Sequence, residues 1–485
     1  MDTLDLSRLQ FAVVTIYHYF FVPLSISLAA ITAGLQTAWL RTGREHLRSL
    51  TLFTGKLLMA TFAVGVVTGL VQEFQFGLSW SAFSRFYGDV FGPTLAIEGM
   101  LAFFLEATFL GLWYFGWDRL PRLAHLATIW VVAIGTLISA YVILAANSFM
   151  QNPVAYRMDP QTGRAELSSF LELLTNPVTL VAFPHTIAGA FMAGGALVMA
   201  VGAWRAWRRP AGADGPAWRT LARAGAWVTL AGGAAAAVSG DVLGKVMTDV
   251  QPMKMAAAEA LYVTETGAPF SLFAVGPLDG GEPFFSLDVP YLLSILATGD
   301  PNGTVHGITD LQAEYEQVYG AGSYVPWIPV AYWTFRLMIG TGVLATVAAA
   351  ALLWLSRRGR VPGGDGGPHL TGRIAAAGGR LLLRSLPVLP TLPIAAGTFG
   401  WLFTETARQP WLAFGLFRTE DGVSPGLTEA EVVASLLGFG ALYGILAVVW
   451  LRLVLHLARQ DLTSRPSVAG DGGTRTPTPA AAPAY

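Results

Sequence analysis

The chain has 485 residues, of which 53% are hydrophobic and only 13% are charged, and its formal net charge is −1. A soluble protein would carry about a quarter charged residues, so this composition excludes a soluble globular protein and indicates several membrane crossings. The absence of cysteine excludes structural disulfides, thiolate-bound clusters and the covalent attachment of c-type haem. Any bound haem would therefore need His, Met or carboxylate ligands.

Apolar runs long enough to cross a bilayer predict an all-α polytopic membrane protein with about nine transmembrane helices, which form bundles. The ends of each span are defined only to within a few residues. In chain order the predicted spans are 11–40, 52–72, 93–116, 127–147, 178–204, 219–243, 328–356, 386–406 and 432–458.

The distribution of charge predicts the orientation of these spans. Lys and Arg concentrate in the connections after spans 1, 3, 5 and 7, as at Arg41, Arg44 and Arg48, whereas the opposite connections hold an excess of Asp and Glu. The positive-inside rule then places the N-terminus outside and the C-terminus in the cytoplasm. The acidic N-terminus does not resemble a cleavable signal peptide.

The spans divide the chain into four parts. Residues 1–243 hold six predicted helices and residues 328–460 hold three. Between them, residues 244–327 form an outward-facing loop with two lysines, no arginine and many Asp and Glu. That loop is too long for a simple connector, which predicts a functional lid or a binding loop. Residues 461–485, rich in Pro, Ala, Gly and Thr, predict a disordered cytoplasmic tail.

Ionisable and metal-binding side chains inside spans cost insertion free energy and are therefore functional candidates. The predicted orientation brings four possible iron ligands into the outer half of the membrane, beneath the acidic loop. These four are His18, His185, Met338 and Glu405. The other candidates inside spans are Glu98, Glu106 and Arg336.

Each of these residues also has a purely structural interpretation. A histidine in a span can be an interhelical contact, a methionine can fill a gap, and Glu405 with Arg408 can form an ion pair on one helical face. Glu98 and Glu106, just over two turns apart, could pair with a cation or carry protons. The cluster in the outer half could hold haem, or it could belong to a transporter with buried charges. The histidine sets of bc-type cytochromes b and of haem–copper oxidases are both absent.

Seven blocks of the sequence resemble, in the same order, those of subunit I of the cytochrome bd-type quinol oxidases. The first is LSRLQFAVVTIYHYFFVPLSISL at 6–28, and the second is GLVQEFQFGLSWSAFSRFYGDVFGPTLAIEG at 69–99. The others are ILAANSFMQNPVA at 143–155, PHTIAG at 184–189, KMAAAEA at 254–260, FRLMIG at 335–340 and ARQPW at 407–411. One block could match by chance, but seven in order are specific.

The resemblance implies haem ligands at four positions. His185 and Met338 correspond to the axial ligands of a low-spin haem b, a closed six-coordinate site suited to electron transfer. His18 and Glu405 correspond to the single protein ligands of two high-spin haems. The implied cofactors are two haem b and one haem d, although the third haem could instead be b.

Further roles follow from the same resemblance. Arg8, Arg336 and Arg408 would stabilise haem propionates or reduced haem. Trp401, one helical turn before Glu405, would lie between haems.

The matched blocks also imply a proton path and a substrate site. Glu98 and Glu106 correspond to acidic residues that relay protons from the cytoplasm. Lys254 and Glu259 correspond to residues of the quinol-binding loop, although an exposed ion pair between them is an open alternative. Ala407 replaces the usual glycine of the family. The short distance from His185 to Met338 indicates a short quinol loop.

The resemblance thus predicts a respiratory quinol:oxygen oxidoreductase in the bacterial cytoplasmic membrane. Quinol would be oxidised at the outer face, and O2 would be reduced to water with cytoplasmic protons. This separates charge across the membrane without pumping. A second membrane subunit of similar size is implied as partner, together with small single-span subunits. The alternatives are a haem b electron-transfer subunit of a quinol dehydrogenase and a secondary transporter, whose inverted repeats are not evident in the sequence.

Overall fold

A computed structural model describes residues 2–208, 212–281, 283–356, 381–382 and 384–462. Within these ranges the chain is mainly α-helical, as predicted, and eight helices are long and apolar enough to cross a membrane. The predicted tail 461–485 lies outside the described residues from position 463 onward.

Four of the eight spans come from the first third of the chain. The third of them is continuous but changes its helical type twice. The segments are Thr3–Thr42 (α1), Glu45–Leu78 (α2), Ser81–Glu98 (α3), a π-helix at Gly99–Glu106, Ala107–Phe115 (α4) and Arg122–Gln151 (α5). At about 1.5 Å per residue, α1 is about 60 Å long and extends beyond the hydrocarbon core.

The remaining helices include four long spans and several short outer segments. The segments are Phe170–Leu174 (α6), Pro177–Arg208 (α7), Gly215–Val250 (α8), Pro252–Glu259 (α9), Leu292–Thr298 (α10), Ile308–Tyr319 (α11), Ile328–Ser356 (α12), Thr391–Thr406 (α13) and Glu429–Arg459 (α14).

The helix α13 corresponds to the eighth predicted span, 386–406, but it has only 16 residues. That length is about 24 Å, which is shorter than the hydrocarbon core. Pro387 and Pro390 precede the helix. Proline lacks an amide hydrogen and disfavours helical geometry in the residue before it, so regular helix begins only after Pro390.

The helices α7 and α8 form a closely packed antiparallel pair. A Cβ atom added at Gly195 would lie 2.8 Å from the amide nitrogen of Thr229, and one added at Gly225 would lie 2.5 Å from that of Met199. The two backbones can approach this closely only because the side chains between them are small, a common basis of helix association in membranes.

Short strands and helices cover the outer ends of the spans. Four two-stranded antiparallel sheets pair Tyr156–Met158 (β1) with Ala165–Leu167 (β2), Glu265–Thr266 (β3) with Thr304–Val305 (β6), Phe270–Val275 (β4) with Phe285–Val289 (β5), and Trp411–Ala413 (β7) with Phe417–Arg418 (β8).

The helix α9 is enclosed by the outer cluster of apolar residues. Ala256, Ala257 and Ala258 are fully buried and pack with residues of α11, α12 and α13. The polar residues of α9 therefore lie inside the protein rather than on an exposed loop.

Candidate functional site

The imidazole of His18 on α1 faces α2. Its Nδ1 lies 3.0 Å from the Thr68 hydroxyl, which donates its own hydrogen to the Gly65 carbonyl at 2.9 Å. Thr68 must then accept a hydrogen from Nδ1, so the proton of the neutral ring is on Nδ1 and the Nε2 lone pair is available to a metal. A Cβ atom at Gly69 would lie 3.1 Å from Cε1 of the ring, so glycine leaves space beside it.

His185 on α7 has the same arrangement against α8. Its Nδ1 lies 3.1 Å from the Ala236 carbonyl and 3.3 Å from the Ser239 hydroxyl. A carbonyl only accepts, so Nδ1 carries the proton and Nε2 has the lone pair. Gly240 again leaves room, because a Cβ atom there would lie 3.2 Å from Cε1 of the ring.

The thioether of Met338 on α12 faces α13. A Cβ atom at Gly400 would lie 3.0 Å from its Sδ atom. The helix α12 packs against both α8 and α13. Met338 and His185 therefore belong to one group of packed helices, α7, α8, α12 and α13, as expected of two ligands of one haem.

Glu405 lies near the end of α13, and both of its carboxylate oxygens have partners. Asn147 on α5 donates its Nδ2 hydrogen to Oε1 at 3.0 Å, and Arg408 pairs with Oε2. The ion pair that the sequence left as an alternative is therefore formed. It does not exclude ligation, because each carboxylate oxygen has a further lone pair.

Two arginines near Glu405 have donors suited to an anionic group. Arg8 donates through Nη2 to Gln409 at 3.1 Å, but its Nε is buried and has no partner among the described residues. The same holds for Nη1 of Arg408. Such a buried donor costs about 1–3 kcal/mol and is well suited to a propionate. Together with the two Nε2 atoms, for which the described residues provide no partner, and the Met338 thioether, these donors fit haem.

Arg336 differs from these two arginines because protein groups already accept its hydrogens. Its Nη2 donates to Glu259 at 2.8 Å and to the Ser271 carbonyl at 2.8 Å, and its Nε donates to the same carbonyl at 3.0 Å. Its Nη1 bonds to the carbonyls of Ala258 and Tyr332. All five hydrogens are used, so a direct contact with a propionate would require one of these bonds to break.

Lys254 on α9 points toward Glu405 rather than toward Glu259. Its Nζ donates to Gln151 Oε1, and Gln151 Nε2 lies 3.5 Å from Oδ1 of Asn147, which bonds Glu405. Burial lowers the pKa of Lys254 well below its ordinary range; Arg408 acts in the same direction and Glu405 opposes it.

Glu259, at the other end of α9, is buried against Arg336. Burial raises the pKa of Glu259 to about 7, although the Arg336 guanidinium opposes the shift. The alternative of an exposed Lys254–Glu259 ion pair is wrong, because both residues are buried and each has another partner. Five residues apart on a helix, they face in different directions.

Trp401 on α13 packs on Tyr19, the residue after His18. The two rings are 5.7 Å apart and meet edge to face. A Cβ atom at Gly397 would lie 2.7 Å from the Tyr19 ring, so glycine permits the close approach of α1 and α13. Trp401 therefore lies between the His18 and Glu405 regions.

Glu98 and Glu106 stand at the two ends of the π-helix in the third span. Glu106 is buried, and its Oε1 has no partner among the described residues. The carboxylates of Glu98 and Glu106 interact electrostatically, and Glu73 on α2 interacts with Glu98. Single-turn π-helical segments occur often at functional sites, because they redirect side chains within a helix.

Three polar residues of the site were missed from the sequence: Asn147, Gln151 and Glu73. All three lie within blocks that carry the family resemblance, and Asn147 is an amide at the end of a predicted span. A polar amide at that position was the sequence feature from which Asn147 could have been identified as a site residue. Its partner, Glu405, is 258 positions away, so the pairing itself depends on helix packing.

A family model described as "Cytochrome bd terminal oxidase subunit I" matches residues 6–462. The chain belongs to this family. It is 40% identical to cytochrome bd ubiquinol oxidase subunit 1 of Bacillus subtilis, covering 94% of this chain and 93% of that protein. It is 34% identical to cytochrome bd-II ubiquinol oxidase subunit 1 of Escherichia coli, covering 94% and 96%.

A solved structure of a cytochrome bd oxidase supports the same conclusion about the fold. The bd oxidase from Geobacillus thermodenitrificans matches with a TM-score of 0.82 and 26% sequence identity, covering 94% of this chain and 98% of that one. The predicted polytopic helical fold and the predicted enzyme class, a cytochrome bd-type quinol oxidase, are confirmed. The family implies haem cofactors and a second subunit in the oxidase.

Proposed function

We propose that this cytochrome bd subunit oxidises quinol at the outer face of the membrane and reduces O2 to water with cytoplasmic protons. The names of the relatives, which are ubiquinol oxidase subunits, support quinol as the electron donor. Bound haems would supply the redox chemistry. The residues of this chain hold, orient and protonate the reacting groups.

Three haems are proposed, two of type b and a third of type d or b. His185 and Met338 would ligate the low-spin haem b, while His18 and Glu405 would each ligate one high-spin haem. Arg8 and Arg408 would bind propionates through their unpartnered donors. For Arg336 we propose instead a role in orienting Glu259, to which its Nη2 donates at 2.8 Å.

Quinol would bind beside α9 in the loop 244–327. Glu259 would accept a quinol proton through Oε1, which has no partner among the described residues. With a pKa of about 7, this carboxylate takes up and releases protons near neutral pH. Lys254, with its pKa lowered by burial, would donate a hydrogen bond on the side of Glu405.

Protons for water would come from the cytoplasm through Glu106 and Glu98. Release of quinol protons outside and uptake of protons from inside would separate charge without a pump. The acidic residues of the third span support this path, since Glu106 is buried and is electrostatically linked to Glu98. We further propose a bacterial cytoplasmic membrane location, a second membrane subunit of similar size and small single-span subunits.

The observation that carries this proposal is the fixed protonation of two imidazoles. Both His18 and His185 hold their proton on Nδ1, and Nε2 of each ring has no hydrogen-bond partner among the described residues. That arrangement is expected of haem ligands.

The test is a reduced-minus-oxidised absorption spectrum of membranes containing the assembled oxidase, repeated with carbon monoxide. A b-type band together with a red chlorin band that responds to carbon monoxide is the expected result. Responsive b bands alone would replace haem d by b. Bands that ignore carbon monoxide would favour an electron-transfer subunit of a quinol dehydrogenase, and the absence of haem would favour a transporter.

A further inference from the structure

The hairpin formed by β4 and β5 exposes an unusual number of large apolar side chains. Six of them are between 43% and 84% exposed: Leu272, Phe273, Val275, Phe284, Phe285 and Leu287. A contiguous apolar surface of this kind is not left in water by soluble segments and marks an interaction site. The question is what covers it.

Hydrogen bonds between the hairpin and α12 show where the hairpin lies along that helix. The Ser271 carbonyl of β4 accepts two hydrogen bonds from Arg336, and the Ser271 hydroxyl lies 2.7 Å from that of Tyr332. Arg336 is eight residues into α12, about 12 Å from its first residue, Ile328. The hairpin therefore lies beside the wall of α12 and not above its outer end.

The apolar surface of the hairpin continues the lipid-facing surface of α12. The ring of Phe273 packs on Trp333 at 5.4 Å, one helical turn before Leu337. Leu337 begins a stripe of exposed apolar residues on α12 that includes Leu344 and Val347. Counting about 20 residues back from Ser356, the last residue of α12, places the outer edge of the hydrocarbon core near Leu337.

We propose that the β4–β5 hairpin lies in the outer interfacial layer of the membrane, with its apolar side chains against the lipid acyl chains. The two strands pair only with each other in the described structure, so their outer edges are open. Open edges are not tolerated within the hydrocarbon core, but headgroups and water satisfy them at the interface. Trp333, on which Phe273 packs, lies at the level of the hairpin, and aromatic residues concentrate in this interfacial layer.

This placement bears on the substrate path, in a step that rests on the proposed function. The Ser271 carbonyl of β4 accepts two hydrogen bonds from Arg336, so in this placement the hairpin covers the Arg336–Glu259 pair from the lipid side. A lipid-soluble quinol would then reach Glu259 from the leaflet, past the hairpin, without crossing water. The lipid contact itself is independent of this step.

The absence of cysteine from this chain makes spin labelling a direct test. Single variants Phe285→Cys and Leu287→Cys of the assembled oxidase, each carrying a nitroxide, are reconstituted in phospholipid nanodiscs. Collisions with O2, which concentrates in lipid, and with a water-soluble nickel chelate are measured. Leu344→Cys on α12 is the lipid-facing control, and Gln317→Cys on α11 is the water-facing control. Labelled oxidase without an introduced cysteine gives the partner subunit's background.

Both hairpin labels are expected to differ from the Gln317 label in the same direction as the Leu344 label does, with more frequent O2 collisions and fewer nickel collisions. Nickel collisions as frequent as those at Gln317 would overturn the proposal and place the hairpin in water. Protection from both reagents would also overturn it, because protein would then cover the hairpin. The haem spectrum of each labelled sample shows whether the oxidase is assembled. Since no quinol is used, failure of the proposed function would leave this result unaffected.

Discussion

Three histidines in the long helices of this oxidase subunit show two different uses of the same side chain. His125, near the start of α5, donates through Nε2 to the Trp113 carbonyl at 2.8 Å and accepts at Nδ1 from Gln36, also at 2.8 Å. Gln36 in turn accepts from the Trp113 indole at 2.7 Å, which closes the network. Among the described residues, His18 and His185 find hydrogen-bond partners through Nδ1 alone.

The difference shows how a ligand can be distinguished from a structural histidine. Where both ring nitrogens have protein partners, no lone pair remains for iron. The same contrast separates Arg336, whose five hydrogens are all used, from Arg8 and Arg408, each of which has a buried donor without a partner in the described part of the chain.

The largest expected effect is the loss of a haem when a ligand with a free Nε2 is removed. His185→Leu is expected to abolish the low-spin haem b signal, and His18→Leu one high-spin signal, in reduced-minus-oxidised spectra of the assembled oxidase. His125→Leu is the matched control and should keep all haem bands. Loss of a haem in the His125 variant would break the comparison.

A second prediction concerns Glu259, a carboxylate of which one oxygen has no hydrogen-bond partner among the described residues. Its pKa of about 7 means that it is ionised above pH 7 and can accept a proton, whereas below pH 7 it is already protonated. Quinol oxidation should therefore accelerate as pH rises through 7. Glu259→Gln should slow it at pH 8 by about 100-fold, a typical general-base contribution, and flatten the profile. A pH profile identical to that of the wild type would exclude this role.

A third prediction concerns the threonine that fixes the His18 proton. Thr68→Val removes the acceptor of the Nδ1 hydrogen, and loss of such a partner typically weakens ligand binding by about 10–100-fold. The His18 haem should be lost during purification more readily than the low-spin haem. Thr54→Val is the matched control, since Thr54 bonds Thr32 in the cytoplasmic half at 2.9 Å. Equal haem retention in both variants would show that Thr68 does not orient the ring.

A fourth prediction extends the comparison to the carboxylate ligand. Asn147→Leu removes the hydrogen bond to Glu405 Oε1, and by the same reasoning should weaken the Glu405 haem by about 10–100-fold while leaving the low-spin bands. Asn176→Leu is the control, because Asn176 is a buried amide that bonds the backbone of Asn152 and Val178 instead. A parallel loss of all haem bands would indicate a folding defect and contradict this role.

The smallest expected effect is on stability alone. His125→Leu leaves the Trp113 carbonyl and a Gln36 donor buried without partners, at a cost of about 1–3 kcal/mol each. The oxidase should therefore denature at a lower temperature while its spectrum at low temperature is unchanged. Thermal denaturation followed by the haem absorption measures this directly. An unchanged denaturation temperature would mean that water replaces the lost partner.

The spans and the candidate ligands could be predicted from the sequence because each depends on local composition or on a short matched block. The hydrogen-bond and ion-pair partners of the side chains could not be predicted from the sequence. Lys254 and Glu259 are five positions apart, yet only the packing of α9 decides that one contacts Gln151 and the other Arg336. The π-helix was not predicted either, because hydrophobic runs in α- and π-helices have similar composition. The short α13 could have been expected from Pro387 and Pro390.

The buried helix α9 has a consequence for inhibitors. Its eight residues contribute Lys254 to the side of Glu405 and Glu259 to the side of Arg336, while three fully enclosed alanines fill the space between. A substitution that enlarges any of these alanines would displace both polar residues at once. A compound that binds against α9 therefore contacts a surface on which few resistance mutations are compatible with respiration.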